Sequence, residues 1–272
     1  MINIKNMKMI YCLLLVSILF IGNCDIDRGL EPINSNIEGV ITYSGEWPGS
    51  PAEVRLIAAT KFPPSGLSDL IIGESIPITG SEYKYNFYLK PGSYSVLGVG
   101  WREQNSTWDI LSICGLYFVG NDSLSPGKVE LLDEKSKVQD INIKVNRSKA
   151  KRITNSKISG YVTFDGAWPD SITEVRVIST TQFSIAPTVK LPSLLDISFS
   201  NSIPIESDSV QYVINAYPGK FVATGVLFFK ANHTLSIEDI LYSYTVGGLS
   251  LTPIEVLENH TIGGPNFDVH FK

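Results

Sequence analysis

The side chains here with chemical potential beyond packing are a few histidines, cysteines and tryptophans, and their spacing limits what they could do. Three histidines occur, His233, His260 and His270, and an imidazole can ligate a metal or act as a general base. None stands at ligand spacing from a cysteine or a carboxylate cluster, so no metal site is expected. A serine nucleophile would be announced by a Gly-x-Ser-x-Gly elbow, which the sequence lacks, and no catalytic residue or cofactor is assigned. Trp101 and Trp108 are more informative. Together with Arg102, Glu103 and Asn105 they flank a polar stretch after a strand-like segment, and exposed aromatics on a loop can stack on a sugar ring or a partner protein. Trp101, Arg102 and Trp108 are therefore the candidate binding residues.

Cysteine chemistry depends on the compartment. Lys5 and Lys8 precede an apolar run from Met9 to Gly22 with no acidic residue before it, as an export signal requires. Its 14 residues fall short of the roughly 20 a membrane-spanning helix needs. Small residues at both −3 and −1, the mark of ordinary cleavage, are missing around positions 20 to 24. Leu19-Phe20-Ile21-Gly22-Asn23-Cys24 instead resembles the bacterial lipobox, in which the cysteine receives the lipid, although Asn replaces the usual small residue before it. Lipidation is assigned to Cys24. With Cys12 inside the removed signal, Cys114 is left unpaired unless it meets Cys24 in an oxidising compartment. Loss of Lys5 and Lys8 takes the formal charge from −5 to −7, which argues against a nucleic-acid partner. The expected membrane contact is the lipid itself.

The elements that must position these residues come in duplicate. Ile37-Glu38-Gly39-Val40-Ile41-Thr42 returns as Ile158-Ser159-Gly160-Tyr161-Val162-Thr163, and the gapless match from Ile37 to Phe62 against Ile158 to Phe183 holds 13 identities in 26 positions. Beyond Phe183 the register moves by six residues, so that Pro91-Gly92 answers Pro218-Gly219. The insertion, rich in Ser, Pro and Leu, belongs in a loop. Glu53-Val54-Arg55 recurs as Glu174-Val175-Arg176, and a period of two puts each Glu and Arg on one strand face, as an ion pair or a polar contact surface. Trp47-Pro48 and Trp168-Pro169 also recur, which points to packing rather than ligand stacking.

Apolar residues alternate in each copy, as at Tyr83, Tyr85, Phe87 and Leu89, and predict about seven short strands, one of them at Leu116 to Val119, and no helix. Each Pro-Gly is expected to close a hairpin. The fold class is all-β, two tandem Greek-key-like sandwiches of the transthyretin or immunoglobulin kind after an N-terminal signal segment. The opening Ile-x-Gly-x-Val-Thr, the Pro-Gly-x-Tyr/Phe turn and the closing Asp-Ile-Asn-Ile strand resemble the carboxypeptidase regulatory-like, transthyretin-like domains. That resemblance implies an accessory, non-catalytic module and brings no catalytic residue.

The expected layout is signal peptide 1–23, tether 24–35, first copy 36–146, linker 147–155 and second copy 156–272. The linker region carries Arg147, Lys149, Lys151 and Arg152 without an acid, which reads as a solvated connection rather than a lipid-headgroup contact. The expected function is a cell-envelope lipoprotein that binds, spaces or scaffolds, with a glycan or an envelope protein as candidate partner. A glycan-binding surface protein, or a hydrolase with a loop-built site, is the alternative. The membrane that holds the lipid and the oligomeric state are left open.

Overall fold

The computed structural model describes residues 34–120, 123–184, 192–230 and 235–271. Cys24, the signal and most of the tether lie outside the described residues. The chain is mostly strand. Ten strands come from the first copy: β1 (Asn36–Ser44), β2 (Pro51–Ala59), β3 (Ile71–Ser75), β4 (Glu82–Tyr88), β5 (Gly92–Tyr94), β6 (Val96–Glu103), β7 (Ile113–Leu116), β8 (Val129–Leu131), β9 (Lys137–Val138) and β10 (Ile143–Asn146). The second copy supplies β11 (Ser156–Asp165), β12 (Ile172–Thr180), β13 (Ile197–Phe199), β14 (Ser209–Ala216), β15 (Gly219–Phe221), β16 (Ala223–Lys230), β17 (Leu249–Ser250), β18 (Ile254–Val256), β19 (Thr261–Gly263) and β20 (Phe267–His270). Among the described residues one α-helix, α1 (Ile237–Thr245), stands between β16 and β17.

Strand pairing repeats with the sequence. β1 lies antiparallel to β4 and parallel to β9 and β10, and β11 lies likewise against β14, β19 and β20. β2 pairs with β3 and β6 as β12 does with β13 and β16. One pairing differs between the copies. β7 also pairs with β10 and joins eight strands of the first copy into one large sheet, with β5 and β8 forming a separate pair. In the second copy the residue after α1 intervenes, because the His270 amide donates to the Val246 carbonyl at 3.0 Å.

The recurrent glycine has a steric cause. A Cβ on Gly39 would lie 2.0 Å from the Ile141 carbonyl oxygen, and one on Gly160 would lie 2.7 Å from that of Pro265. The Tyr85 hydroxyl donates to the Ile141 oxygen at 2.6 Å, and Tyr212 donates to Pro265 at 2.7 Å. Each tyrosine ring crosses its sheet against the glycine, so that a buried hydroxyl finds an acceptor.

Four expectations are corrected. Pro91-Gly92 closes no hairpin: β4 pairs with β1 while β5 pairs with β8, and β14 and β15 diverge in the same way. The turn carries the chain from one sheet to another, braced by a hydrogen bond from the Tyr94 hydroxyl to the Lys90 carbonyl at 2.7 Å. The strand expected at Leu116 to Val119 lies earlier, at Ile113–Leu116. A helix exists, started by Ser236 and Asp239 in a capping box and burying Ile240 and Ser243. The linker is docked rather than solvated, since Ala150 is buried in the core of the first copy.

Each copy has its own apolar core, one around Ile37, Val99 and Trp101, the other around Ile158, Val226 and Phe228. A third buried cluster is shared. It brings Ala59, Val96, Leu116 and Leu124 against Ile178, Leu194, Ile197 and Leu227. Burying one such aliphatic side chain contributes about 1.5–3 kcal/mol, so this contact joins the copies far more strongly than a peptide tether could.

Candidate functional site

The structure separates the three predicted binding residues. Trp101 is buried at 1 % exposure, which corrects the expectation of an exposed aromatic there. Strand alternation turns its ring inward, where it stacks on Trp47 with centroids 5.4 Å apart. Its neighbour Arg102 faces the other way and is half-buried. It pairs with Glu53 at 3.3 Å and donates to the Ser106 carbonyl at 3.0 Å, which ties the following loop to the strand. Trp108 is half-buried and packs over Gly100, whose added Cβ would lie 3.1 Å from its ring. Arg102 and Trp108 therefore brace a loop on one face of β6, and Trp101 serves the core on the other.

The recurrent Glu-Arg pairs have diverged. Arg55 binds Glu53 at 2.9 Å in a partly exposed setting, and this hydrogen bond, aided by the Arg55 and Arg102 charges, holds the Glu53 carboxyl below its usual range. Arg176 is buried at 2 % exposure. Its guanidinium lies 2.6 Å from Glu174 and donates to the carbonyls of Pro64 in the first copy and Ser200 in the second, at 3.2 and 3.4 Å. One member of a duplicated motif has become part of the contact between the copies. Trp168 packs against Phe164 and Phe271, as the packing reading of the repeated tryptophans expects.

Basic residues of the connecting segment secure the same contact. Lys149 lies 3.7 Å from Asp196, and Arg152 reaches Glu103 at 3.1 Å and Glu258 at 3.8 Å, one carboxylate from each copy. Arg147 lies over the Tyr43 ring at 4.5 Å. Lys61 adds a pair with Glu174 at 3.8 Å.

Between the copies these contacts leave a cleft of about 170 Å³. Leu67, Ile110, Ile113 and Leu116 wall it from the first copy, and Leu195, Ile197, Phe199 and Tyr217 from the second. Lys151 and Arg176 are its cationic groups, and Asp109 is an acidic one. The Lys151 ammonium lies over the Tyr217 ring at 4.3 Å. Burial pulls its pKa below the usual lysine range, opposed by the charge of Asp196. An apolar cleft between two packed units, with a few convergent polar groups, has the form of a small-molecule site.

No family model matches the chain, and no curated protein matches it. Among solved structures, a leucine-rich repeat protein from Bacteroides thetaiotaomicron aligns over 86% of this chain and 26% of its own, with 9% identity and a TM-score of 0.35. The chain thus spans about a quarter of that protein. A putative adhesin from Bacteroides ovatus aligns over 88% of this chain and 93% of its own at 14% identity and a TM-score of 0.23. A fimbrial anchor protein from Porphyromonas gingivalis aligns over 71% and 78% at 11% identity and a TM-score of 0.21. Likeness at this level carries no argument about function, and the cleft has to be read from its own chemistry.

Sequence reasoning missed the cleft residues, although signals existed. Tyr217 stands where the first copy has Lys90, and Leu194 and Leu195 follow the six-residue insertion. Differences between the copies mark the residues that the copies present to each other. Elsewhere, His270 lies 3.3 Å from Asp165, with both side chains well exposed. The His260 ring meets the Glu258 carbonyl, and His233 is outside the described residues. Among the described residues no group of His, Cys, Asp and Glu is placed to hold a metal ion.

Proposed function

We propose that the chain is an exported, non-catalytic binding module of the cell envelope, anchored by lipid at Cys24 and built of two tandem Greek-key-like sandwiches fixed to each other. The observation that carries the binding role is the cleft between the copies, whose walls both copies supply. A simple spacer has no need of the buried Arg176, whose guanidinium donates to carbonyls of both copies, or of a linker whose Lys149 and Arg152 pair with carboxylates of the copies. These contacts hold an apolar opening at fixed width, and preorganisation of this kind favours a ligand.

Export and anchoring rest on the basic start, the apolar run and Cys24. Metabolic labelling with a tagged fatty acid tests them. Label should enter the wild-type chain in the membrane fraction and be absent from Cys24→Ser; label that persists in the variant overturns the anchor. The binding role is tested by a thermal-shift screen of small molecules, since a ligand of the native state raises the melting temperature. Hits that keep their effect when Leu67→Trp narrows the cleft would place binding elsewhere.

A further inference from the structure

We propose that the cleft between the two copies binds a small organic anion with an apolar body, an aryl or short alkyl carboxylate, whose head group meets the Lys151 ammonium. This rests on the binding role proposed above and names the ligand class.

Charge bookkeeping within the cleft selects the sign of the ligand. Arg176 is a cation of the wall, but its guanidinium is committed to Glu174 and to two carbonyls. Asp196 is taken by Lys149. Asp109 is turned to its own chain, accepting from the Leu111 amide at 2.9 Å and capping a 3-10 turn. Lys151 differs from all three. Among the described residues its ammonium makes no ion pair within contact distance: it lies on the face of Tyr217, and the charge of Asp196 acts on it only from further off. A ring quadrupole compensates a cation weakly compared with a carboxylate. A partly desolvated ammonium with its donors unspent therefore favours an anion.

Size and lining select the rest of the molecule. The cleft volume, about 170 Å³, is close to the roughly 150 Å³ of an apolar cavity known to hold benzene. Leu67, Ile110, Ile113, Leu116 and Phe199 offer aliphatic and aromatic surface suited to one ring or a short acyl chain. Asn201 and Asn215 stand at the exposed edge, where amide donors could take a second carboxylate oxygen.

The position of Lys151 is fixed independently of any ligand. Its backbone carbonyl accepts from the Trp101 indole nitrogen at 3.1 Å, and the preceding Ala150 is buried in the first core. The side chain is thus held by the first copy and lies on a ring of the second. It contributes to the site only while the copies keep their packing.

Calorimetric titration of the full chain in lipid nanodiscs with 3-phenylpropionate, and with its uncharged amide as control, tests the assignment. The carboxylate should bind saturably, and the amide about tenfold more weakly or not at all, as loss of one charged hydrogen bond predicts. Lys151→Met, which keeps the apolar stem, should weaken the carboxylate about tenfold, Lys151→Arg should retain it, and Leu67→Trp should abolish it. Unchanged unfolding midpoints confirm that the variants are folded. Equal binding of acid and amide, an unaffected Lys151→Met, or no saturation at about 10 mM overturns the anion assignment. None of those outcomes touches the fatty-acid labelling at Cys24, and a hit of other chemistry in the thermal screen would keep the binding role.

Discussion

The Trp101 indole nitrogen of the first copy donates to the carbonyl oxygen of Lys151, 50 residues further along the chain, at 3.1 Å. A core tryptophan thereby fixes the segment that connects the copies. Trp101→Phe keeps an aromatic ring against Trp47 while removing this donor and part of the ring volume, leaving a part-buried carbonyl unpaired. The expected loss is about 1–3 kcal/mol in chemical denaturation. Trp101→Ala also empties the space of a large ring and should cost about 3–5 kcal/mol. No loss for Trp101→Phe would show that the hydrogen bond does not matter, and equal losses for the two variants would show that the ring volume does not.

The shared cluster of Leu194, Ile197 and Leu227 with Ala59, Val96 and Leu116 predicts that the copies unfold together. Scanning calorimetry should show one transition. Leu194→Ala should lower it by about 2–5 kcal/mol of stability without splitting it, because the cavity lies between the copies and weakens both. Two resolved transitions in the wild type would mean that the cluster does not couple them.

Burial raises the pKa of the Tyr217 phenol to about 12, and those of Tyr43, Tyr85 and Tyr212 rise for the same reason. An unfolded tyrosine ionises near 10. Above that pH the unfolded chain releases protons that the folded one keeps, so the folded state loses stability as pH climbs from about 10 toward 12. Below 10 these phenols are neutral in both states and contribute no pH dependence. Melting temperature should therefore fall steeply in alkali, and the part of the tyrosinate absorbance that belongs to these four buried phenols should appear late and together with unfolding. Early ionisation of all tyrosines in a still-folded chain would contradict their burial.

These sites show what the sequence could and could not reveal. The repeat and the strands were legible because period-two patterning and identity at Gly39 and Gly160, Trp47 and Trp168 are local signals. Partner choice was not, since Pro91-Gly92 closes a hairpin in one fold and crosses between sheets in another with the same local geometry. Helix α1 was hidden by its two-and-a-half turns, although Ser236 and Asp239 marked its start. Trp101 looked like a surface residue because Arg102 and Glu103 follow it, and strand alternation had already turned it inward. The cleft was invisible for another reason: Lys151 and Tyr217 are brought together only by the packing of one copy on the other.

Cys114 offers a last check on the core and on the lipid. The thiol is free and buried, its sulfur 3.4 Å from the Val99 carbonyl, and burial pushes its pKa above the usual thiol range. A protonated, enclosed thiol does not alkylate. Iodoacetamide should leave native Cys114 unmodified for hours and label it promptly in denaturant. If Cys24 carries lipid, mass spectrometry of the denatured mature chain should find one alkylated cysteine, Cys114. Two alkylated cysteines after denaturation alone would mean that Cys24 is a free thiol, and none until a reductant is added would mean that Cys24 and Cys114 form a disulfide. The three outcomes separate lipidation, free thiol and disulfide in a single experiment.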